Sequence, residues 1–159
     1  FACLFQFIEG MMNLKDKINQ DLKDAMKSGD KIRLSVVRSI RALILEFEKS
    51  GAAKELNPEE ELKMLTTAAK KRKDSIEQFR NAGRTELAET EEAELKILMN
   101  YLPKQMNEEE IKNEITRLAA EIGAKTKADF PKLMPLVMRE LKGKADGKLV
   151  KSIVESYLV

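Results

Sequence analysis

From Asn13 to the end of the chain, apolar residues recur every three or four positions, and no useful length of sequence alternates. That period is the helical one, so this chain can bury its apolar side chains only by packing helix against helix. Start and stop signals divide the pattern into seven segments. Leu14, Ile18, Leu22, Ala25 and Met26 form the first stripe, and Gly29 supplies its stop. Asp30 is placed to cap the second, whose face is Ile32, Val36, Val37, Ile40, Leu43, Ile44 and Phe47, ending near Ser50-Gly51. NPEE at Asn57–Glu60 puts Asn at an N-cap, Pro at the first helical position and acids in the first turn, opening a third helix that runs to Ala82-Gly83. Thr85 opens a fourth, which ends before Pro103. NEEE at Asn107–Glu110 opens a fifth, with the stripe Ile111, Ile115, Leu118 and Ile122 closed by Gly123. The sixth carries Phe130, Leu133, Met134, Val137 and Leu141, and the seventh Leu149, Val150, Ile153, Val154, Tyr157 and Leu158. The expected fold is all-α, with long helical hairpins over 12–106 and a compact three-helix bundle over 107–159.

Composition narrows the chemistry. There is no His, and Cys3 is the single cysteine, which excludes an intrachain disulfide, Cys/His zinc sites and Ser-His or Cys-His catalysis. Carboxylates are abundant, yet no phosphate loop, dinucleotide fingerprint or nucleophile elbow accompanies them. The reading is a non-enzyme without metal or cofactor. No apolar run approaches the roughly 20 residues of a membrane span. The lysine-rich, disulfide-free composition suits a reducing cytosol, and a cytoplasmic location is expected. The first eleven residues, FACLFQFIEGM, are aromatic-rich and lack a basic start or a cleavage site. They are read as a leader or vector-derived segment, with native translation starting at Met12 or, second, at Met11.

The third helix holds a charge in its seam. Leu62, Leu65, Ala69, Arg72, Ile76 and Phe79 follow 3-4 spacing, so Arg72 sits among apolar positions. Either its stem packs while the guanidinium reaches solvent, or it meets an acid on the fourth helix, or it binds a ligand. A fold-back around Gly83 sets Arg72 opposite Glu91 to Glu94, and Glu91 falls on that helix's own apolar pattern. Such a pair fixes register more than it adds stability, and on that view Arg72→Met leaves the fold intact or better. KKRK at Lys70–Lys73 points in four directions around the helix, with Asp74 and Glu77 available as partners, and reads as a solvated face.

Net charge is only +2, but it separates along the chain. Arg84 to Glu114 holds nine acids and four bases, a net of −5, whereas Gly123 to Lys151 holds eight bases and three acids, a net of +5. The eight bases are Lys125, Lys127, Lys132, Arg139, Lys142, Lys144, Lys148 and Lys151. A basic patch on a small helical module suits phosphate-backbone binding; solvated surface lysines are the competing account. Four of these bases lie in KGKADGKLV, Lys142–Val150, or directly beside it. There Gly143 is placed to release the sixth helix, Asp146 to cap the seventh, and Gly147 to let the chain turn closely. The motif therefore reads as a helix corner, with the aspartate occupying the amides a phosphate would want.

Taken in order, DLKDAMKSGDKIRLSVVR, KKRKDSIEQF, Glu94-Leu95 to YLP, the Gly123-Ala124 turn with Lys127-Ala128-Asp129, and KGKADGKLV resemble the GatB/YqeY family over nearly all of 12–159. This family is related to the tail domain of the B subunit of tRNA-dependent amidotransferase. The resemblance implies an all-α module without chemistry of its own that binds tRNA, since the similar tail domain contacts the outer corner of the tRNA. Amidotransferase or aminoacyl-tRNA synthetase components are further implied partners. The alternative is a protein-interaction or auxiliary module that makes no RNA contact and docks through its hairpin helices. One departure stands out: Pro131 and Pro135 occupy a helix where family members typically carry glycines. Pro131 fits a first turn capped by Asp129, while Pro135 is expected to bend the sixth helix or delay its regular start.

Overall fold

The computed structural model describes residues 12–51 and 56–159, so the leader assignment for 1–11, and Cys3 with it, lies outside the described residues. Among the described residues there are seven α-helices, one short 3-10 turn and no strand. The chain divides into two compact units between Tyr101 and Leu102. The first unit holds α1 (Leu14–Ser28), α2 (Lys31–Lys49), α3 (Pro58–Asn81) and α4 (Thr85–Met99). The second holds α5 (Glu108–Ile122), the 3-10 turn (Lys127–Asp129), α6 (Phe130–Glu140) and α7 (Gly147–Tyr157).

The sequence signals act where they stand. Asn13, Asp30 and Asn57 each accept a hydrogen bond from a first-turn backbone N–H, at 2.8, 2.9 and 2.9 Å. At α5 the box is reciprocal: Asn107 accepts from the Glu110 N–H, and Glu110 accepts from the Asn107 N–H, both at 2.8 Å. Gly29 and Gly123 end α1 and α5 at φ of +72° and +69°, a region that only glycine occupies without strain.

In the first unit α1 packs on α2, α2 on α4, and α3 on α4. Ile18, Val36, Val37, Ile40, Ile44, Leu65, Ala88 and Leu98 supply its buried centre. The Leu14 N–H donates to Glu61 Oε1 at 3.0 Å, tying the start of α1 to the start of α3. In the second unit the three helices pack pairwise around Ile111, Ile115, Leu118, Leu133, Val137, Val150, Val154 and Leu158. Each such side chain contributes about 1.5–3 kcal/mol relative to an exposed one. The Val159 N–H donates to the Lys125 carbonyl at 3.3 Å, closing one end of the bundle. At the other end the Met106 N–H donates to the Lys144 carbonyl and the Gln105 amide to the Gly143 carbonyl, both at 2.7 Å. These bonds hold 102–106 to the second unit.

Four residues assigned to buried stripes are exposed: Met26 (60%), Ile122 (44%), Ile32 (41%) and Leu149 (38%). Each lies in the first or last turn of its helix. α6 also departs from expectation. Asp129 stands at its N-cap position as expected but makes no capping bond; its carboxylate turns back to accept from the Lys125 and Thr126 N–H groups, both at 3.0 Å. Helix α6 starts at Phe130 with Pro131 in its first turn and runs on through Pro135. Pro135 is exposed, so its ring meets solvent, and its missing N–H removes one bond to the Pro131 carbonyl.

Candidate nucleic-acid interface

All eight bases singled out in the sequence are exposed. The three-helix packing distributes them over one side and both ends of the bundle. Lys125 and Lys127 flank the turn between α5 and α6. Lys132 and Arg139 stand on the outer face of α6, seven residues and about 10 Å apart, opposite the buried Leu133 and Val137. Lys142 and Lys144 follow in the corner after α6, and Lys148 and Lys151 lie in the first turns of α7. The outer face of α6 thus links the two ends as one basic ridge, with Pro135 exposed in its middle.

The corner that carries the last four bases is fixed from inside. Gly143 is buried and sits at φ +74°, releasing the chain from α6. Asp146 accepts from the Lys148 N–H at 2.9 Å and the Leu149 N–H at 3.4 Å, so the amides at the start of α7 are already occupied. A side chain on Gly147 would place its Cβ 3.4 Å from Met138 Cε. The corner is therefore a rigid mount for lysines and not itself an anion cradle.

Two of these bases make exposed ion pairs. Arg139 lies 3.5 Å from Glu140 and Lys151 3.7 Å from Glu155, exposed pairs of a kind that contributes at most about 1 kcal/mol. The Asp129 carboxyl is held below the usual carboxylate range by the backbone N–H groups of Lys125 and Thr126, with a further bond from the Thr126 hydroxyl. It remains an anion that shapes the Lys125–Lys127 turn. The opposite sign gathers on α5. There Arg117 clasps Glu114 and Glu121, Lys112 meets Glu108 at 2.6 Å, and Glu114 is held low chiefly by its bond from Arg117. Among the described residues no group of three or more His, Cys, Asp and Glu is placed to hold a metal ion.

In the first unit Arg72 bridges three helices. Its guanidinium donates to Glu91 of α4 at 2.8 Å and to Glu94 of α4, and lies 3.5 Å from the Ser39 hydroxyl of α2. Ser35 of α2 donates to Glu94 at 2.8 Å. Two acids, not one, depend on this cation. Removing it alone leaves both uncompensated, so the expectation that Arg72→Met is harmless holds only if the acids go with it.

A second charged cluster was missed in the sequence. The Tyr101 hydroxyl donates to Asp21 of α1 at 2.5 Å, and Arg33 of α2 reaches the other Asp21 oxygen at 2.8 Å. Burial, aided by the bond to Asp21 and its charge, pushes the Tyr101 hydroxyl well above the ordinary tyrosine range. The Lys17 ammonium stands 5.6 Å from the centre of the Tyr101 ring. The signal was present: Asp21 falls at 3-4 spacing between Ile18 and Ala25, and Arg33 leads the series Val37, Ile40, Ile44.

Curated relatives come from fungi. A protein of Pyrenophora tritici-repentis named altered inheritance of mitochondria protein 41, mitochondrial, is 34% identical over 147 residues, 89% of this chain and 79% of its own length. A protein of the same name from Lachancea thermotolerans is 32% identical over 124 residues, 77% of this chain and 64% of its own. Another, from Clavispora lusitaniae, is 34% identical over 129 residues, 78% of this chain and 74% of its own. These relatives are named as mitochondrial proteins, which overturns the expected cytoplasmic location. Scarce cysteine and abundant lysine report a reducing environment and not an address, which is why composition misled. The sequence model of a family described as Yqey-like protein matches residues 15–158, across both units and every motif that carried the resemblance. The chain belongs to the Yqey-like protein family.

Proposed function

We propose that the chain is a non-catalytic tRNA-binding module whose second unit contacts the RNA along the outer face of α6 and the corner into α7. The observation that carries this reading is the ridge of Lys132, Arg139 and Lys142, continued by Lys144, Lys148 and Lys151 on a corner held by Asp146. It draws further support from the resemblance to the amidotransferase tail domain. The names of the fungal relatives favour mitochondria as the place of action. Contacts go to phosphate and sugar, so recognition is of shape and affinity falls steeply with salt. Acids on α5 repel the polyanion and leave one productive face. A chain without any His is poorly equipped for proton transfer near neutral pH, which supports a binding role.

The test is fluorescence anisotropy of labelled tRNA with the full chain across a salt series. The combined variant Lys142→Glu, Lys144→Glu, Lys148→Glu is measured alongside. Binding at low salt that weakens by about tenfold or more in the variant supports the reading. Equal affinity in the variant, or no binding by the parent even at low salt, removes it.

A further inference from the structure

The first unit contains a feature that RNA binding does not use. Between the second half of α2 and the first two thirds of α3 lies a groove of about 500 Å³. Ser39, Leu43 and Phe47 form one wall at four-residue spacing. Met64 and Ala68 face them from α3, and one end is stopped by Arg72 and Glu91. The groove exists because α2 and α3 do not pack closely on each other, each resting instead on α4, while the Arg72 cluster pins them at one point. Leu43, Phe47, Met64 and Ala68 are only half-buried, an arrangement a covering element would complete.

We propose that this groove receives an amphipathic helix of a partner protein, with acids flanking its apolar stripe. Three observations select that occupant. The α3 wall runs from Glu60 to Ser75, about 22 Å or four helical turns, which suits an extended rod and exceeds a compact ligand. Its exposed surface is mostly apolar, as in helix-in-groove recognition. Its rim carries Lys63 and Lys71, both exposed and neither given an acidic partner among the described residues. They stand eight residues and about 12 Å apart, close to the repeat at which a docked helix presents acids two turns apart. Arg72 adds no attraction, because Glu91 and Glu94 already satisfy it.

The probe is a fluorescein-labelled designed peptide of about 16 residues, helical, with Leu at i, i+3, i+7 and i+10 and Glu on both flanks of that stripe. Its twin carries Lys in place of Glu. Anisotropy with the full chain is expected to rank the acidic peptide about tenfold tighter than the twin. Lys63→Glu with Lys71→Glu, two exposed positions, reverses that order, and Met64→Asp weakens the acidic peptide while circular dichroism shows the helices retained. Equal binding of the twins, or an unchanged order in the double charge variant, overturns the proposal. So does self-association of the parent chain that Met64→Asp abolishes, since the occupant is then a second copy.

Discussion

The two units solve the same problem, holding helices in register, with different chemistry. The second unit relies on aliphatic packing: α5, α6 and α7 meet chiefly through Ile, Leu, Val and Ala, and its polar groups act as caps or stay on the surface. The first unit has longer helices that could slide past one another, and it sets charges at their crossings. Arg72 with Glu91 and Glu94 joins α2, α3 and α4, while Asp21 with Arg33 and Tyr101 joins α1, α2 and the end of the unit. The difference is instructive about function. A bundle whose core holds no charge leaves the cations of α6 and its flanking turns on the outside, whereas Arg72 and Arg33 of the first unit are committed to its own architecture.

Mutations can break that comparison at several strengths. The largest effect belongs to the aliphatic core. Leu133→Ala, at a fully buried position, is expected to cost about 2–5 kcal/mol in denaturant unfolding. A loss below 1 kcal/mol would mean that the bundle does not depend on close packing. Next is Arg72→Met, expected to cost about 1–3 kcal/mol because two acids lose their cation. Arg72→Met combined with Glu91→Leu and Glu94→Met should restore or exceed parental stability. If the triple variant stays as weak as the single one, the cluster supplies stability and not register.

Tyr101→Phe removes one bond to a charged acceptor and is expected to cost about 1–2 kcal/mol near neutral pH. The folded Tyr101 value is raised, so its stabilisation is complete below the unfolded value of about 10 and is lost as pH rises above it. The parent should therefore lose stability in alkali faster than Tyr101→Phe does, a comparison that thermal melts at stepped pH would settle. Asp129→Asn should show the smallest effect and the opposite sign of pH dependence. Its folded value is lowered, so the deficit of the variant is present above about pH 4 and closes as pH falls through the folded value. A deficit that persists in acid would assign the loss to the asparagine's geometry and not to the charge.

Much of this arrangement was legible beforehand, and the failures share a cause. Helix starts at Asn57 and Asn107 and exits at Gly29 and Gly123 are local events, decided within one turn, so the sequence alone placed them. Arg72 and its acids were legible as one of three alternatives, because a hairpin around Gly83 limits which acids a charge in that seam can meet. Asp21 and Arg33 carried the same mark and were passed over, because their third member, Tyr101, is 80 residues from Asp21. Asp129 misled for a different reason: a carboxylate can close the turn before it as readily as the helix after it. Exposed Met26, Ile32, Ile122 and Leu149 fit the helical period, but the period says nothing about where a neighbouring helix stops. The ridge on α6 was only half visible, since spacing put Lys132 and Arg139 on one face without showing that this face is left open.

The central claim is that polyanion contacts belong to the second unit and run along α6. The most direct measurement is the salt dependence of tRNA binding by the full chain, compared with Lys132→Gln and Arg139→Gln together. Two lost phosphate contacts should lower the magnitude of the log–log slope by about 1–2. The same change at Arg38 and Arg41, exposed on α2 of the first unit, should leave the slope unaltered. An unchanged slope in the α6 variant, or an equal fall in the α2 variant, would contradict the account.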